Sequence, residues 1–312
     1  MISRPNVKVN FGLHIFGKRQ DGYHDIETLF VPCHEFHDTL EIVAGDDYSR
    51  TGASLFARYA PECIAQGISP DGKVMITIAR AEGVDWSPLR DLCAQAYTLL
   101  DADFELPPVK IFLEKGSPVG AGLGGGSADA AFTLRMLSQM SGLGLSDETL
   151  ASYASRLGSD CAFFIYNRPM IGSGRGEILE PFDLDLSAVE LKVVVPEGIS
   201  VSTAEAYRGT TPRETLQEGA AISHPEVAGI PSRPDGMVAR SCSNLPRGTR
   251  GLREILSRPV ETWRDTLVND FEPSVFASHP ALAALKTSLY DSGALYVSLS
   301  GSGSALFALY GK

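Results

Sequence analysis

The sequence predicts an α+β protein built as two lobes. Three observations carry that prediction. Several short runs in the first third alternate side-chain character with period two, as strands do. A glycine-rich stretch at residues 118–131 then feeds a run with helical spacing, and a second helical run follows it. Beyond these, the apolar run from Leu191 to Pro196 reads as a buried strand opening a second lobe. A chain of 312 residues is long for one small core and short for three, so one or two domains are expected. We place the division between residues 1–167 and 168–312.

In order along the chain, Val7 to Ile15 alternates as a half-buried strand does. A turn follows at Gly17 to Gly22, then an extended run from Ile26 to Val31. Asp38 to Val43 and Gly72 to Ala79 alternate again. Leu89 to Leu100 has helical spacing, and Val109 to Glu114 is another strand. After the glycine-rich stretch a helix is expected from about Ala128 to Met140. Ser146 is placed to cap the next helix, whose Leu150, Tyr153, Ala154 and Leu157 share one face, and Gly158 to end it. From about Thr211 to Ser257 the chain is rich in Pro, Gly, Ser and Arg and loses any period. This predicts a surface insertion, with a functional lid as the alternative. Ala294 to Leu299 is a strand running into Ser300 to Ser304, and a closing strand reaches Tyr310.

Composition narrows the function classes. Lys and Arg total 27 against 38 Asp and Glu, a net charge of −11, which argues against a nucleic-acid partner. No apolar run approaches the length of a membrane span, and Met1 to Pro5 lacks the apolar core of a signal peptide. Five scattered cysteines without a C-x-x-C pair argue against a disulfide framework or zinc site. The expectation is a cytoplasmic protein with neither nucleic acid nor membrane as partner. A phosphorylated ligand would have to be bound locally, by backbone amides and a few placed cations.

Residues 118–131, PVGAGLGGGSADAA, supply such a place. Five glycines (Gly120, Gly122, Gly124, Gly125 and Gly126) fall among seven residues, with Ala121 and Leu123 between. They let the backbone take positive φ and approach a ligand closely. The loop opens onto a helix, whose first amides are unpaired and whose dipole is positive at that end, a site suited to a di- or triphosphate. There is no Gly-Lys-Ser/Thr ending, so this is not a Walker A loop, and the spacing of a dinucleotide fingerprint is missing too.

The stretch from Pro118 through Ser127 closely resembles the second motif of the GHMP kinases, and Ser300-Gly301-Ser302-Gly303-Ser304 is similar to their C-terminal glycine-rich motif. Within that superfamily, Gly17-Lys18-Arg19 followed by Asp21-Gly22-Tyr23-His24 resembles the branch acting on 4-diphosphocytidyl-2-C-methyl-D-erythritol. Further matches are Gly174-Arg175-Gly176-Glu177, Val201 to Tyr207, and Asn269-Asp270-Phe271-Glu272. The resemblance implies a first lobe like the second domain of ribosomal protein S5 and a ferredoxin-like second lobe. It implies ATP as cofactor, Mg2+ arriving with ATP, no dedicated protein metal site, and a cytidine-diphosphate-linked small molecule as substrate. The chain would act as a monomer or homodimer.

The same resemblance implies roles residue by residue. Asp160 matches the catalytic aspartate and Lys8 the lysine beside it; the plain alternative for Asp160 is a helix N-cap. Ala162 stands where a proline is common in the family. Asn10 matches a substrate-binding position. Tyr23 and Tyr207 match aromatics that sandwich the cytosine, His24 the residue that bonds its polar edge, and Thr203 a contact near the ribose and diphosphate. Lys115 matches a lysine before the phosphate loop, although Gly116 and Ser117 depart from its usual neighbours. Asp91 stands where relatives carry an asparagine that contacts adenine. Asp129, in the loop helix, is either a magnesium contact or an ordinary helix carboxylate. The alternatives for the whole chain are another small-molecule GHMP kinase, of mevalonate-pathway or homoserine type, or a ligand sensor of this fold without catalysis.

Overall fold

The computed structural model describes residues 1–20, 22–213 and 248–312. Asp21 of the substrate string and most of the expected 211–257 insertion lie outside the described residues. The chain begins with β1 (Ile2–Ser3), the long hairpin β2 (Asn6–Lys18) and β3 (His24–His37), then β4 (Thr39–Ala44), α1 (Arg50–Arg58), β5 (Ile64–Ile68) and β6 (Val74–Ala79). Next come α2 (Leu92–Phe104), β7 (Val109–Glu114), α3 (Gly125–Met140), α4 (Asp147–Leu157) and α5 (Cys161–Tyr166). Strands β8 (Met170–Ser173), β9 (Ile178–Pro181) and β10 (Val189–Val194) lead to α6 (Thr203–Arg208). After the undescribed segment follow α7 (Gly248–Leu256), α8 (Glu272–Ser278), α9 (Pro280–Asp291), β11 (Tyr296–Leu299) and β12 (Leu306–Gly311).

The strands form three sheets, in the orders β1-β4-β7-β6-β5, β2-β3-β8-β9 and β10-β12-β11. Only the pairing of β6 with β7 is parallel among these ladders, and α2 makes the crossover that such a pair requires. β8 and β9 follow residue 168 yet build onto β3, so the central sheet crosses the expected division of the chain. Helices α2 to α5 bury Tyr97, Leu134, Leu150 and Phe163 with Ile42, Ile76 and Ile111 of the five-stranded sheet. Among the described residues no helix is long and apolar enough to cross a membrane.

β2 departs from the half-buried strand that its alternation suggested, because its first ten residues are all buried. Val7, Val9 and Phe11 pack with Leu29, Trp263 and Phe307 in a core that reaches into the C-terminal part. The alternating polar residues Lys8 and Asn10 are buried too, at 3% and 1% exposure. They alternate because they face a polar site inside the protein rather than water.

The insertion expected over 211–257 ends earlier than its composition suggested. Gly248–Leu256 is helix α7, and its Leu252 and Leu256 are 0% and 5% exposed within the core around Phe11 and Trp263. Glycines and arginines set its overall composition, while two apolar residues four apart suffice to seat one helical face. Leu252→Ala should therefore destabilise the protein by about 2–5 kcal/mol. Urea denaturation measures this, and an unchanged midpoint would place α7 outside the core.

Candidate active site

Gly120, Gly122 and Gly124 adopt φ of 74°, 78° and 73°, a region that disfavours any residue with a Cβ. Ala121 and Leu123 between them are 3% and 1% exposed, so the loop is anchored by its non-glycine side chains while its backbone stays bare. Pro118 enters the loop half-buried. α3 starts at Gly125, three residues before the helix expected from the sequence, with Gly124 as its cap and no side-chain capping bond among the described residues. The amides of Gly125, Gly126 and Ser127, added to the helix dipole, make an anion site.

The C-terminal motif closes against this loop. Ser300 Oγ donates to the Gly122 carbonyl at 3.2 Å across 178 positions of sequence, and the Ala305 amide donates to the Ala121 carbonyl at 3.1 Å. A Cβ on Gly122 would overlap the Ser300 carbonyl oxygen. The Asn269 side-chain amide donates to the carbonyls of Leu299 and Gly301 at 2.8 and 2.9 Å. That clamp explains part of the Asn269-Asp270-Phe271-Glu272 match, to which sequence reasoning attached no role.

Lys8 lies where the two loops meet. Its ammonium donates to Asn10 Oδ1 at 2.6 Å and to the Gly122 carbonyl at 3.0 Å, and stands 3.3 Å from Asp160 Oδ2. Asp160 holds the N-cap position of α5, yet its side chain makes no capping bond; the carboxylate turns to Lys8 instead. The Asp160 side chain is 28% exposed against 3% for Lys8. The acid is thus the member of the pair that a substrate hydroxyl can reach. Beside it, burial pushes the Cys161 thiol up to about 12, so no thiolate competes with that hydroxyl.

Three residues expected to contact ligand are hydrogen-bonded within the protein. Asn10 is buried with its amide used at both ends, accepting from Lys8 and donating to Thr28 Oγ1 at 3.1 Å, so it orients Lys8. Lys115 donates to Asp38 Oδ2 and, at 2.6 Å, to Asp129 Oδ2, so two of its three donors are bonded to buried acids. Asp91 is the N-cap of α2, accepting from the Cys93 amide at 2.9 Å and the Trp86 indole at 3.1 Å. These bonds stabilise a helix start, the local role that the structure gives Asp91. Burial pushes the Asp129 carboxyl well above its usual range, against the pull of Lys115. Among the described residues no group of three or more His, Cys, Asp or Glu is placed to hold a metal ion.

At the other end of the site the aromatics gather. His24 and Tyr207 are stacked, with ring centroids 4.5 Å apart and planes 10° from parallel, and Phe271 meets Tyr207 edge-on at 4.8 Å. Tyr23 is 52% exposed and lies under the Arg175 guanidinium, 4.9 Å from its ring centre. The expected slot between Tyr23 and Tyr207 is thus not preformed, because His24 lies on the Tyr207 ring. Burial, then the nearby charge of Lys18, pushes the His24 imidazole below its usual range. Burial, then the charge of Asp160, pushes the Tyr207 phenol up to about 12, which puts the aromatic platform within electrostatic reach of the acid. Thr203 Oγ1 lies 3.2 Å from Ser302 Oγ, joining the start of α6 to the C-terminal motif. Sequence reasoning attached no role to Arg175, although it lies in the matched string Gly174-Arg175-Gly176-Glu177, nor to Asp38, because a lone aspartate before a strand carries no local signal.

Comparison with known proteins matches this geometry. The family model described as the GHMP kinases N terminal domain matches residues 91–168, and that described as GHMP kinases C terminal matches residues 252–312. A 4-diphosphocytidyl-2-C-methyl-D-erythritol kinase of Azobacteroides pseudotrichonymphae is 38% identical over all of this chain and 94% of its own length. One of Parabacteroides distasonis is 39% identical over all of this chain and 92% of its own. Among solved structures, a 4-(cytidine 5'-diphospho)-2C-methyl-D-erythritol kinase superposes with a TM-score of 0.63 at 28% identity, covering 99% of this chain and 90% of that one. With sequence likeness over the full length and both glycine-rich motifs brought together, the chain belongs to the GHMP kinases, in the family of the 4-diphosphocytidyl-2-C-methyl-D-erythritol kinases.

Proposed function

We infer that this chain transfers the γ-phosphate of ATP to the 2-hydroxyl of 4-diphosphocytidyl-2-C-methyl-D-erythritol, giving the 2-phosphate and ADP in non-mevalonate isoprenoid precursor synthesis. The observation that carries this reading is the Lys8–Asp160 pair, set between a phosphate-binding loop and a cluster of aromatic rings. Asp160 accepts the proton of the attacking hydroxyl as its oxygen closes on the γ-phosphorus. Lys8, with its hydrogen bonds to Asn10 and Gly122, holds Asp160 in place and offsets charge on the transferred phosphoryl group. The amides at the start of α3 carry the remaining phosphate charge. Magnesium would enter on the phosphate oxygens and neutralise them, with few protein ligands.

The cytosine would stack on Tyr207, with Tyr23 as the second face and Thr203 toward the ribose and diphosphate. Neutral His24 can donate from one ring nitrogen and accept at the other, which suits the mixed polar edge of cytosine. Stacking tolerates any flat base, so that edge contact supplies the selectivity.

An ADP-release assay comparing the cytidyl substrate with mevalonate, phosphomevalonate and homoserine tests the reading. Turnover of one of the others in its place would overturn it, and so would no turnover at all. Asp160→Asn should depress kcat by about 10²–10⁴-fold while leaving ATP binding intact; near-normal turnover would remove Asp160 from the mechanism. Tyr207→Ala should raise KM for the cytidyl substrate by an amount equivalent to about 1–3 kcal/mol of stacking, with KM for ATP unchanged. Weakened ATP binding in that variant would mean that the aromatic cluster serves the nucleotide donor.

A further inference from the structure

The ion cluster behind the phosphate loop has no part in the reaction just described. Asp38 sits at the turn between β3 and β4, Lys115 at the end of β7, and Asp129 one turn into α3. Their side chains are 0%, 4% and 2% exposed. Asp38 Oδ1 accepts from the amides of Gly116 and Ser117 at 2.8 and 2.7 Å, and its Oδ2 accepts from Ser117 Oγ at 2.8 Å. Ser117 in turn supports the helix start, since a Cβ on Gly125 would lie 2.5 Å from Ser117 Oγ. Two chains of contact therefore run to the amide-bearing end of α3: Asp38 through Ser117 to Gly125, and Lys115 through Asp129.

Stability is a poor account of such a cluster. Desolvating charges offsets most of what their attraction contributes, and well-packed apolar residues usually serve as well. Asp129 even leaves its Oδ1 buried without a hydrogen-bond partner, a further unfavourable term. What the cluster does supply is geometry, because charge-assisted bonds from two acids on different elements converge on one ammonium. We propose that Asp38, Lys115 and Asp129 are positioning residues that set where the phosphate-binding end of α3 stands, so that Lys115 governs ATP affinity through the loop and without touching ATP.

This rests on the kinase reading above, and the test keeps the two apart by measuring ATP binding directly, by calorimetry, in the full chain. Wild type, Lys115→Met, Asp129→Ala and the double variant are compared, with thermal unfolding of each. Each single change should weaken ATP binding roughly tenfold, the worth of one charge-assisted hydrogen bond. The double variant, which leaves fewer unpaired charges, should be no weaker than the weaker single, because both remove one shared interaction. KM for the cytidyl substrate should stay at the wild-type value. Weakened binding in Lys115→Met with normal binding in Asp129→Ala would overturn the proposal in favour of a direct Lys115–ATP contact. Wild-type ATP affinity throughout, with only the unfolding temperature lowered, would overturn it in favour of a purely structural role. A wild type that binds ATP yet never phosphorylates the cytidyl substrate would sink the proposed function and leave this inference standing.

Discussion

A desolvated ammonium must find acceptors, and at Lys8 that constraint assembles the site. Its partners come from three separate parts of the chain: Asn10 on the same strand, the Gly122 carbonyl in the phosphate loop, and Asp160 at the start of α5. Satisfying one buried charge thereby fixes the strand, the loop and the acid relative to one another. The C-terminal motif can then close over the loop because Gly122 has no Cβ at the point of contact. Asn269 holds that motif from behind through two carbonyls.

An acidic protein that handles polyphosphates faces a repulsion problem, given a net charge of −11. The solution here is local and mostly made of backbone. A serine or aspartate at the cap of α3 would stabilise the helix but occupy the very amides that a phosphate needs. Gly124 leaves them free. The nearby cations are already matched to acids, Lys8 to Asp160 and Lys115 to Asp38 and Asp129. What this end of the helix offers an anion is therefore oriented N–H groups more than unpaired side-chain charge.

Around the aromatic cluster the order is different, because the partners are rings rather than charges. His24 lies on the face of Tyr207, and Arg175 covers Tyr23. A base that stacks on Tyr207 must move His24 from the face of that ring to the edge of the base. The rearrangement exchanges one aromatic contact for another, so it is a small change in area with a gain in polar complementarity. Arg175 meanwhile shelters one face of an otherwise exposed tyrosine, which limits how far that ring can wander.

The sequence by itself determined what depends on neighbours along the chain. β7 has the bounds read from its alternation, Val109–Glu114, and Ser146 accepts from Thr149 N–H as the expected cap. The glycine spacing at 120–126 announced a tight loop opening onto a helix, and two ordered motifs announced the family. Local pattern was silent for α1, β5, β8 and β9, which are short and held by a cap or by strand pairing, for β8 with the distant β3. It misled for α7, where composition hid the two leucines that seat the helix. Tertiary structure alone decided which polar group faces which. Asn10 turns to Lys8, Lys115 to two aspartates, Asp91 to its own helix and His24 to Tyr207. A residue type states what a side chain can bond. Its partner is set by desolvation, which compels each buried polar group to take whatever acceptor or donor the fold brings within reach from remote parts of the chain.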